Sequence, residues 1–503
     1  MKIIKYFTVV LCILLLASCN NTNENLQKII PADAAGVVCI DVNKIIEKGQ
    51  FVKDDKFELP SSLSEVVDQN DSSPLCQLLV DVPLMGVNLE SKVYAFFTIK
   101  TFGSVFLVAL DDESAAREII ERRMGSDFKQ VDGLDCIYIE DSFYAISDKV
   151  LFMGKVNKPM DVAKIAKAAN RMLSRTAASI VDDDEVMACI EAENDVNAYM
   201  RLDGLKLMLK NSKTYRDISS KMPLIDIFTE SDIQAYIASI NFNDDKADMD
   251  IKIKVDDNSE YVKLLSSTLS DASDGFLKVI PETMDYIVAM SVKGQNFVKL
   301  PQIGQLIKLF KGIPYFGRLD MESMLSTIDG PVAAGMAHDV NTDEWNAVIA
   351  AKSTNPDSIL NHISKFASSF GQAPEIYNGE YIYQYDAKMI KLGINEGVLY
   401  IKMLNYEQTE GYAYDKPEVK ESFTNSPIAF FINASSGTNG GCFSLGLTDK
   451  KSIKGQFTPS SKDSNVVVAM LQVLCGIKPA MLFDDVESDT YMPSAIDELK
   501  PVN

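Results

Sequence analysis

The sequence predicts an α+β protein built as two related halves, each an antiparallel sheet covered by helices, behind an N-terminal signal peptide. Three observations carry this: a pattern of apolar runs that occurs twice, tight turns between alternating runs, and amphipathic segments that intersperse with strands without alternating strictly. A chain of 503 residues has room for two or three domains of ordinary size. At 47% hydrophobic and 24% charged it has a globular composition, and 26 Gly with 18 Pro are too few for a collagen-like or low-complexity chain.

At the N-terminus, Lys2 and Lys5 form a short positive region, Phe7 to Leu16 is almost wholly apolar, and Leu16-Ala17-Ser18-Cys19 closes the segment with small residues and a thiol. The apolar run is too short to span a bilayer comfortably, so residues 1–18 read as an export signal rather than a transmembrane helix. Its last four residues resemble the lipobox of bacterial lipoproteins. That resemblance implies that Cys19 receives a diacylglycerol, that the signal is cut before it and that the new amine is acylated. The competing readings are an ordinary signal peptide cut near Ala17 or Ser18, or an uncleaved anchor. Asn20 to Lys28 is polar without an apolar period, so residues 19–29 are expected to be a lipidated tether. Processing leaves 47 basic residues against 71 acidic ones, a net charge of −24, so lipid rather than surface charge would hold the body on a membrane.

The repeated pattern then begins. Ile30-Pro31-Ala32-Asp33 leads into Val37 to Val42, and Ile280-Pro281-Glu282-Thr283 leads into Tyr286 to Val292, an offset of 250. Val93 to Ile99 and Phe106 to Leu110 correspond to Val332 to Ala337 and Ala347 to Ala351. Each pair precedes an amphipathic segment, Asp112 to Met124 or Asn355 to Phe370. Asp132-Gly133 corresponds to Asn378-Gly379, and Asp148 to Met153 to Glu396 to Ile401. Val186 to Ile190, read as a strand, corresponds to Ile428 to Ile432. The expected halves are 30–270 and 275–503; the first carries an extra segment, 203–240, and Ser270 to Gly275 marks the boundary. The competing reading is two unrelated α+β domains with common strand patterns. Asp132-Gly133, Asn378-Gly379 and Glu396-Gly397 between alternating runs predict hairpins, as does Asn243 to Lys246, and hairpins imply antiparallel pairing.

With the lipobox, the length, the segment IPADAAGVVCIDV (Ile30 to Val42) and the repetition in view, the chain resembles a family of roughly 500-residue Bacteroidota lipoproteins known only as a domain of unknown function. The resemblance spans essentially the whole mature chain. It implies an exported, lipid-anchored envelope protein and supplies no activity, cofactor or catalytic residue. Surface lipoproteins of that group often carry a dense acidic cluster behind the cysteine. Here only Glu24 stands there, which points to the outer membrane facing the periplasm, with surface exposure left open.

The charge excludes nucleic acid as an expected partner, since a chain of −22 repels phosphate backbones. Two His and one Trp leave little for His-based catalysis, zinc sites or Trp-lined sugar platforms. No HExxH, P-loop, GxSxG or GxGxxG occurs, and His338 and His362 stand without patterned partners. Eight Cys occur, at 12, 19, 39, 76, 136, 189, 442 and 475, without CxxC spacing. Cys39, Cys136 and Cys189 fall in apolar strand-like runs and read as buried thiols, while export permits a disulfide whose partners the spacing does not name. Asp182 to Glu185 lacks calcium-loop alternation and reads as a solvated loop. Asp248 and Asp250 share a strand face behind a hairpin tip and read as outward acids, with an ion site as the rarer alternative. Phe297 to Ile313 and Asp161 to Arg175 each read as a core helix with basic margins. Ser435 to Gly446 is a Gly-rich turn followed by a strand, whereas a phosphate cradle needs a helix there.

Tyr381, Tyr383 and Tyr385 alternate, so their rings share one strand face. Such a face can stack a sugar or peptide, and equally a helix, and it is the expected binding surface. The sequence therefore favours a non-enzymatic envelope protein that binds a ligand or partner, an envelope protein or a glycan, or serves as a scaffold, and it implies no cofactor. The alternative is a glycan- or peptide-handling protein, an Asp/Glu-dependent hydrolase. Two buried carboxylates about 5–10 Å apart in a cleft would favour the enzyme.

Overall fold

The computed structural model describes residues 22–476 except 54–55, 70–79, 82–83, 205, 207–231, 313–319, 340–343, 369–372, 386–387, 406–410 and 435–439. The signal peptide, Cys19 and most of the segment 203–240 lie outside the described residues. Residues 22–29, expected to be part of a free tether, instead form α1 (Thr22–Gln27) and its exit turn. Leu26 and Ile29 are fully buried, and the Gln27 amide donates to the buried Tyr94 hydroxyl at 3.1 Å. Leu26, Ile29 and Ile30 are three and four residues apart, an apolar stripe inside a polar composition. Burying each side chain stabilises by about 1.5–3 kcal/mol, which opposes the entropy of ordering the segment.

A first region follows. β1 (Gly36–Ile40) leads to α2 (Val42–Gly49), capped by the Asp41 carboxylate, which accepts from the Lys44 N–H. The hairpin β2 (Val52–Lys53) and β3 (Lys56–Phe57) precedes α3 (Ser61–Gln69). β4 (Val93–Phe97), β5 (Phe102–Ala109) and α4 (Glu113–Met124) come next. A meander of β6 (Lys129–Val131), β7 (Leu134–Ile139), β8 (Ser142–Ser147) and β9 (Val150–Val156) runs into α5 (Val162–Leu173) and α6 (Asp184–Ile190). β10 (Val196–Arg201), β11 (Ala235–Phe242), β12 (Ala247–Lys254) and α7 (Glu260–Thr268) close it.

The second region opens with β13 (Tyr286–Lys293), α8 (Gly294–Phe297), α9 (Pro301–Gly312) and α10 (Met321–Ser326). β14 (Ile328–Asp339), β15 (Glu344–Ser353) and α11 (Pro356–Ser368) precede the meander β16 (Glu375–Tyr377), β17 (Glu380–Tyr385), β18 (Lys388–Asn395) and β19 (Val398–Asn405). α12 (Pro417–Thr424), β20 (Ile428–Asn433), β21 (Gly441–Asp449), β22 (Ser452–Pro459) and α13 (Val466–Gly476) follow. The expected Gly turns hold both central residues at positive φ: 51° and 79° at Asp132-Gly133, 49° and 84° at Asn378-Gly379, 49° and 80° at Glu396-Gly397. That geometry matches strand twist and is why glycine stands second.

The pairings join twenty strands, all antiparallel, in the order β6-β7-β8-β9-β5-β4-β1-β10-β11-β12-β22-β21-β20-β13-β14-β15-β19-β18-β17-β16. Read inward from its two ends, this order passes through corresponding strands of the two regions. They meet where β12 pairs with β22, Ala247 opposite Phe457 and Lys252 opposite Ser452.

One expected strand is corrected. Val186 to Ile190 is helical, and the strand in the position of β20 is β10. Val186, Cys189 and Ile190 are buried at i, i+3 and i+4, which is a helix stripe. The acids before it are not a free loop: the Asp183 carboxylate accepts from the Glu185 and Val186 N–H groups, and Asp184 and Glu185 occupy the first turn, where the helix dipole favours them.

Helices cover the sheet unevenly. On one face, α1, α5 and α6 bury a core including Tyr94, Phe102, Phe143 and Phe152, and α12 buries a second core including Ile287, Val348 and Phe431. On the opposite face, α2, α3, α4 and α13 cover the first region. In the second region, among the described residues, α11 covers only the flank, over Tyr383, Leu392 and Leu399. α7 covers the margin next to the junction, where Leu265 and Tyr261 meet Ile253 and Leu447.

Candidate functional site

Strands that pair at a junction place alternate side chains on each face. On the face carrying α6 and α12, β11, β12, β22 and β21 present Asn241, Asp248, Asp250, Gln456, Lys454, Ser444 and Thr448. Cross-strand neighbours are Asp248 with Gln456 and Asp250 with Lys454. These side chains floor a groove of about 640 Å³, walled by Glu421, Ser422, Asn425 and Ser426 at the end of α12. Gly446 lets that wall approach, because a Cβ there would run into the Ser426 hydroxyl.

The polar floor is internally ordered. Asn243 donates to Asp248 at 2.7 Å, and Lys246 lies 3.3 Å from the same carboxylate. Asn241 donates to Asn194 at 2.9 Å, Asn194 to Asn197 at 2.7 Å, and Asn197 to the Ala192 carbonyl at 2.9 Å. Asp250 is exposed and Asp248 half-exposed, so the two acids are solvated rather than a buried pair. The groove offers amide, hydroxyl, ammonium and carboxylate groups without an aromatic platform. It is equipped to hydrogen-bond a polar ligand rather than to stack one.

Other charged groups serve the fold. Arg201 donates at 2.9 Å to the Ala32 and Ala34 carbonyls and pairs with Asp183 at 2.6 Å. Burial pushes the Asp183 carboxyl up, but hydrogen bonds from Val186 and Arg201 outweigh it and hold the group below its usual range. Glu185 accepts from Tyr199 at 3.0 Å and pairs with Lys254 at 2.6 Å. Burial pushes the Cys39 thiol up to about 12 and those of Cys136, Cys189 and Cys442 to about 11, which leaves them unreactive at neutral pH. Among the described residues no three His, Cys, Asp or Glu side chains gather to hold a metal.

The residues singled out in the sequence are scattered. Cys19 lies outside the described residues. The Tyr face packs under α11: Tyr383 is buried and its hydroxyl donates to the Ser364 carbonyl at 3.3 Å, and Tyr381 packs on the same cluster. The side chain of Tyr385 lies outside the described residues. His338 stacks near Trp345 with ring centres 5.0 Å apart, and His362 Nδ1 meets the Ser358 carbonyl within α11 at 2.6 Å. In α9, Ile303 and Ile307 are buried as their stripe predicts.

Lys402, which the sequence reading passed over, is only 7% exposed. Its ammonium sits 4.6 Å from the Tyr400 ring centre and 5.1 Å from that of Tyr412, and Tyr400 donates to Glu380. Burial holds the Lys402 amine below its ordinary value. A signal existed: Lys402 occupies an inward register position after Val398 and Tyr400.

The architecture and groove define an α+β protein with a polar junction site and no recognisable catalytic constellation among the described residues. The chain matches the family described as Domain of unknown function (DUF4836) over residues 26–432, and it belongs to that family. No curated protein matches it. Crystal form III of TP0453 aligns at 12% identity over 48% of this chain and 84% of that chain, with a TM-score of 0.29. A DnaN sliding clamp from Pseudomonas aeruginosa aligns at 10% identity over 73% of this chain and 88% of that chain, with a TM-score of 0.10. At such TM-scores neither bears on fold or function.

Proposed function

We propose that the protein is a lipid-anchored, non-enzymatic component of a bacterial envelope, built by internal duplication, whose junction groove binds a polar ligand carrying hydroxyl and amide groups. Duplication is supported by contacts that recur at corresponding places. Pro31 bridges Ser179 as Pro281 bridges Tyr412. The Ile180 N–H donates to the Ile30 carbonyl at 3.1 Å, as Ala413 does to Ile280 at 2.9 Å. The anchor rests on the lipobox resemblance at Cys19, with Leu16-Ala17-Ser18 before the thiol. Outer-membrane attachment facing the periplasm follows from the same resemblance.

The observation that carries the binding reading is the groove itself, a cavity of about 640 Å³ whose acids, Asp248, Asp250 and the wall residue Glu421, stay solvated. A hydrolase would need one carboxyl kept protonated by burial, and a solvated pair lacks that environment. Calorimetric titration of the chain from Asn20 onward with a soluble muropeptide digest, which offers amino sugars and peptide amides together, is expected to give saturable heat. Ser444→Trp, which fills the floor, is expected to abolish it; absence of heat with the unaltered chain would sink the reading. Mass spectrometry of the mature N-terminus tests the anchor, and an unmodified Cys19 thiol would refute it.

A further inference from the structure

β13 reads YIVAMSVK, and on the face away from α12 it presents Tyr286, Val288 and Met290. One cross-strand row there runs Ile349, Ala334, Val288, Phe430 and Leu445. The next runs Ala347, Met336, Tyr286, Ile432 and Phe443. Neither row contains a charge. The large side chains Ile349, Val288, Phe430, Leu445, Met336 and Tyr286 are 37–53% exposed, as is Trp345 at the rim. A monomer rarely leaves such a contiguous apolar face in water. The corresponding row of the first region, Phe106, Ala95, Val38 and Ala198, lies under the helices that bury that face.

We propose that this face, across β15, β14, β13, β20 and β21, is the interface of a homodimer in which two copies stack it about a twofold axis. Three considerations select a second copy. Seven side chains of roughly 200 Å² each, nearly half exposed, offer on the order of 600 Å² per chain, so a pair buries about 1,200 Å², the lower range of stable interfaces. Two sheets with the same twist pack aligned face to face, which makes the surface self-complementary. A processed body of net charge −24 repels its own copy on the whole, which favours contact through an uncharged patch, and this face is one.

The test uses the chain from Asn20 to Asn503 without lipid. Sedimentation at about 10 µM is expected to give twice the monomer mass, and dilution is expected to red-shift the emission of Trp345, the single Trp of the chain. Raising NaCl from about 50 to 500 mM is expected to tighten the dimer several-fold by screening like charges. Val288→Asp and Ile349→Lys should each give monomers with unchanged far-UV circular dichroism, and the second variant covers a folding failure of the first. A monomer at about 100 µM, a dimer indifferent to both variants, a dimer weakened by salt, or a monomer that floats with phosphatidylcholine–phosphatidylglycerol vesicles would each overturn the proposal.

Discussion

The two regions share a strand order but not an interior. Among the described residues, 36–254 are cored on both faces of their sheet, whereas 286–459 are cored on one face and covered only at the margins of the other. The difference comes from α13. α13 follows β22 in the second region yet packs on α2 and α3 of the first, where the Gln472 amide donates to the Ser62 carbonyl at 2.8 Å and Asn465 to the Lys48 carbonyl. α7, which follows β12, crosses the other way to α8 but reaches only the margin. Crossed helices of unequal reach teach that similar topology does not ensure similar stability. The same contrast appears inside the other core. Where the first region packs Phe102 and Phe152 edge to face with Gly154 leaving room for the ring, the second has Tyr400 and a buried Lys402 in the corresponding places.

The largest expected effect breaks the better-covered region. Leu471 on α13 is 3% exposed, and Leu471→Asp buries an unpaired charge at a cost of about 3–5 kcal/mol, read from urea unfolding. Val288→Asp, on the open face, is expected to change the monomer's stability by no more than about 0.5 kcal/mol. Equal losses would show that the bare face is covered after all.

Next in size is the junction. Gly446→Ala pushes a Cβ into Ser426 and is expected to cost about 1–3 kcal/mol, while Ser239→Ala at the corresponding place in β11 is expected to be nearly silent. Thermal unfolding of the two variants compares them directly, and matched midpoints would mean that α12 gives way freely.

Lys402 sharpens the contrast through pH. Its folded amine titrates below its ordinary value of 10.5, so above the folded value the unfolded chain binds more protons. Stability therefore rises with pH through the window that ends near 10.5, and the cost of burying the charge is fully present at neutral pH. Lys402→Met is expected to stabilise by about 1 kcal/mol at pH 7 and to flatten that rise. A destabilised variant would mean that the two Tyr rings more than offset desolvation.

The smallest effect concerns one turn. Asp148-Lys149 holds two side-chain-bearing residues at φ 50° and 59°, where the second region has Glu396-Gly397. Lys149→Gly relieves that strain and is expected to raise stability by about 0.5–1 kcal/mol, visible as a higher urea midpoint. An unchanged midpoint would show that glycine's unfolded-state entropy cancels the relief.

Local geometry was legible in the sequence where a residue type has a single physical use. Gly in second place announced the hairpins, and the stripe of α9 announced a helix. Short apolar runs were not legible in this way. VMACI and IAFFI look alike, and only Asp183, capping the first, separates helix from strand. Alternation placed Tyr381 and Tyr383 on one face but gave no sign that α11 lies over it. The floor of the groove depends on β12 meeting β22, a pairing of backbone edges some 200 residues apart that side-chain pattern does not encode. Asp248 and Asp250 were readable as neighbours on a strand, but not as part of a cavity.

The docking of α1 sets a leash. With α1 starting at Thr22, only Asn20 and Asn21 stand between the folded body and Cys19, the proposed lipid site, and the three Cα–Cα steps from Cys19 to Thr22 reach at most about 10 Å when fully stretched. On the proposed lipidation, a body held so short would lie flush against its bilayer and could not sweep the space beyond. Whatever it meets would then have to come to the membrane surface, and lengthening the stretch before Thr22 by some twenty flexible residues is expected to free the body to roam without altering a contact among the described residues.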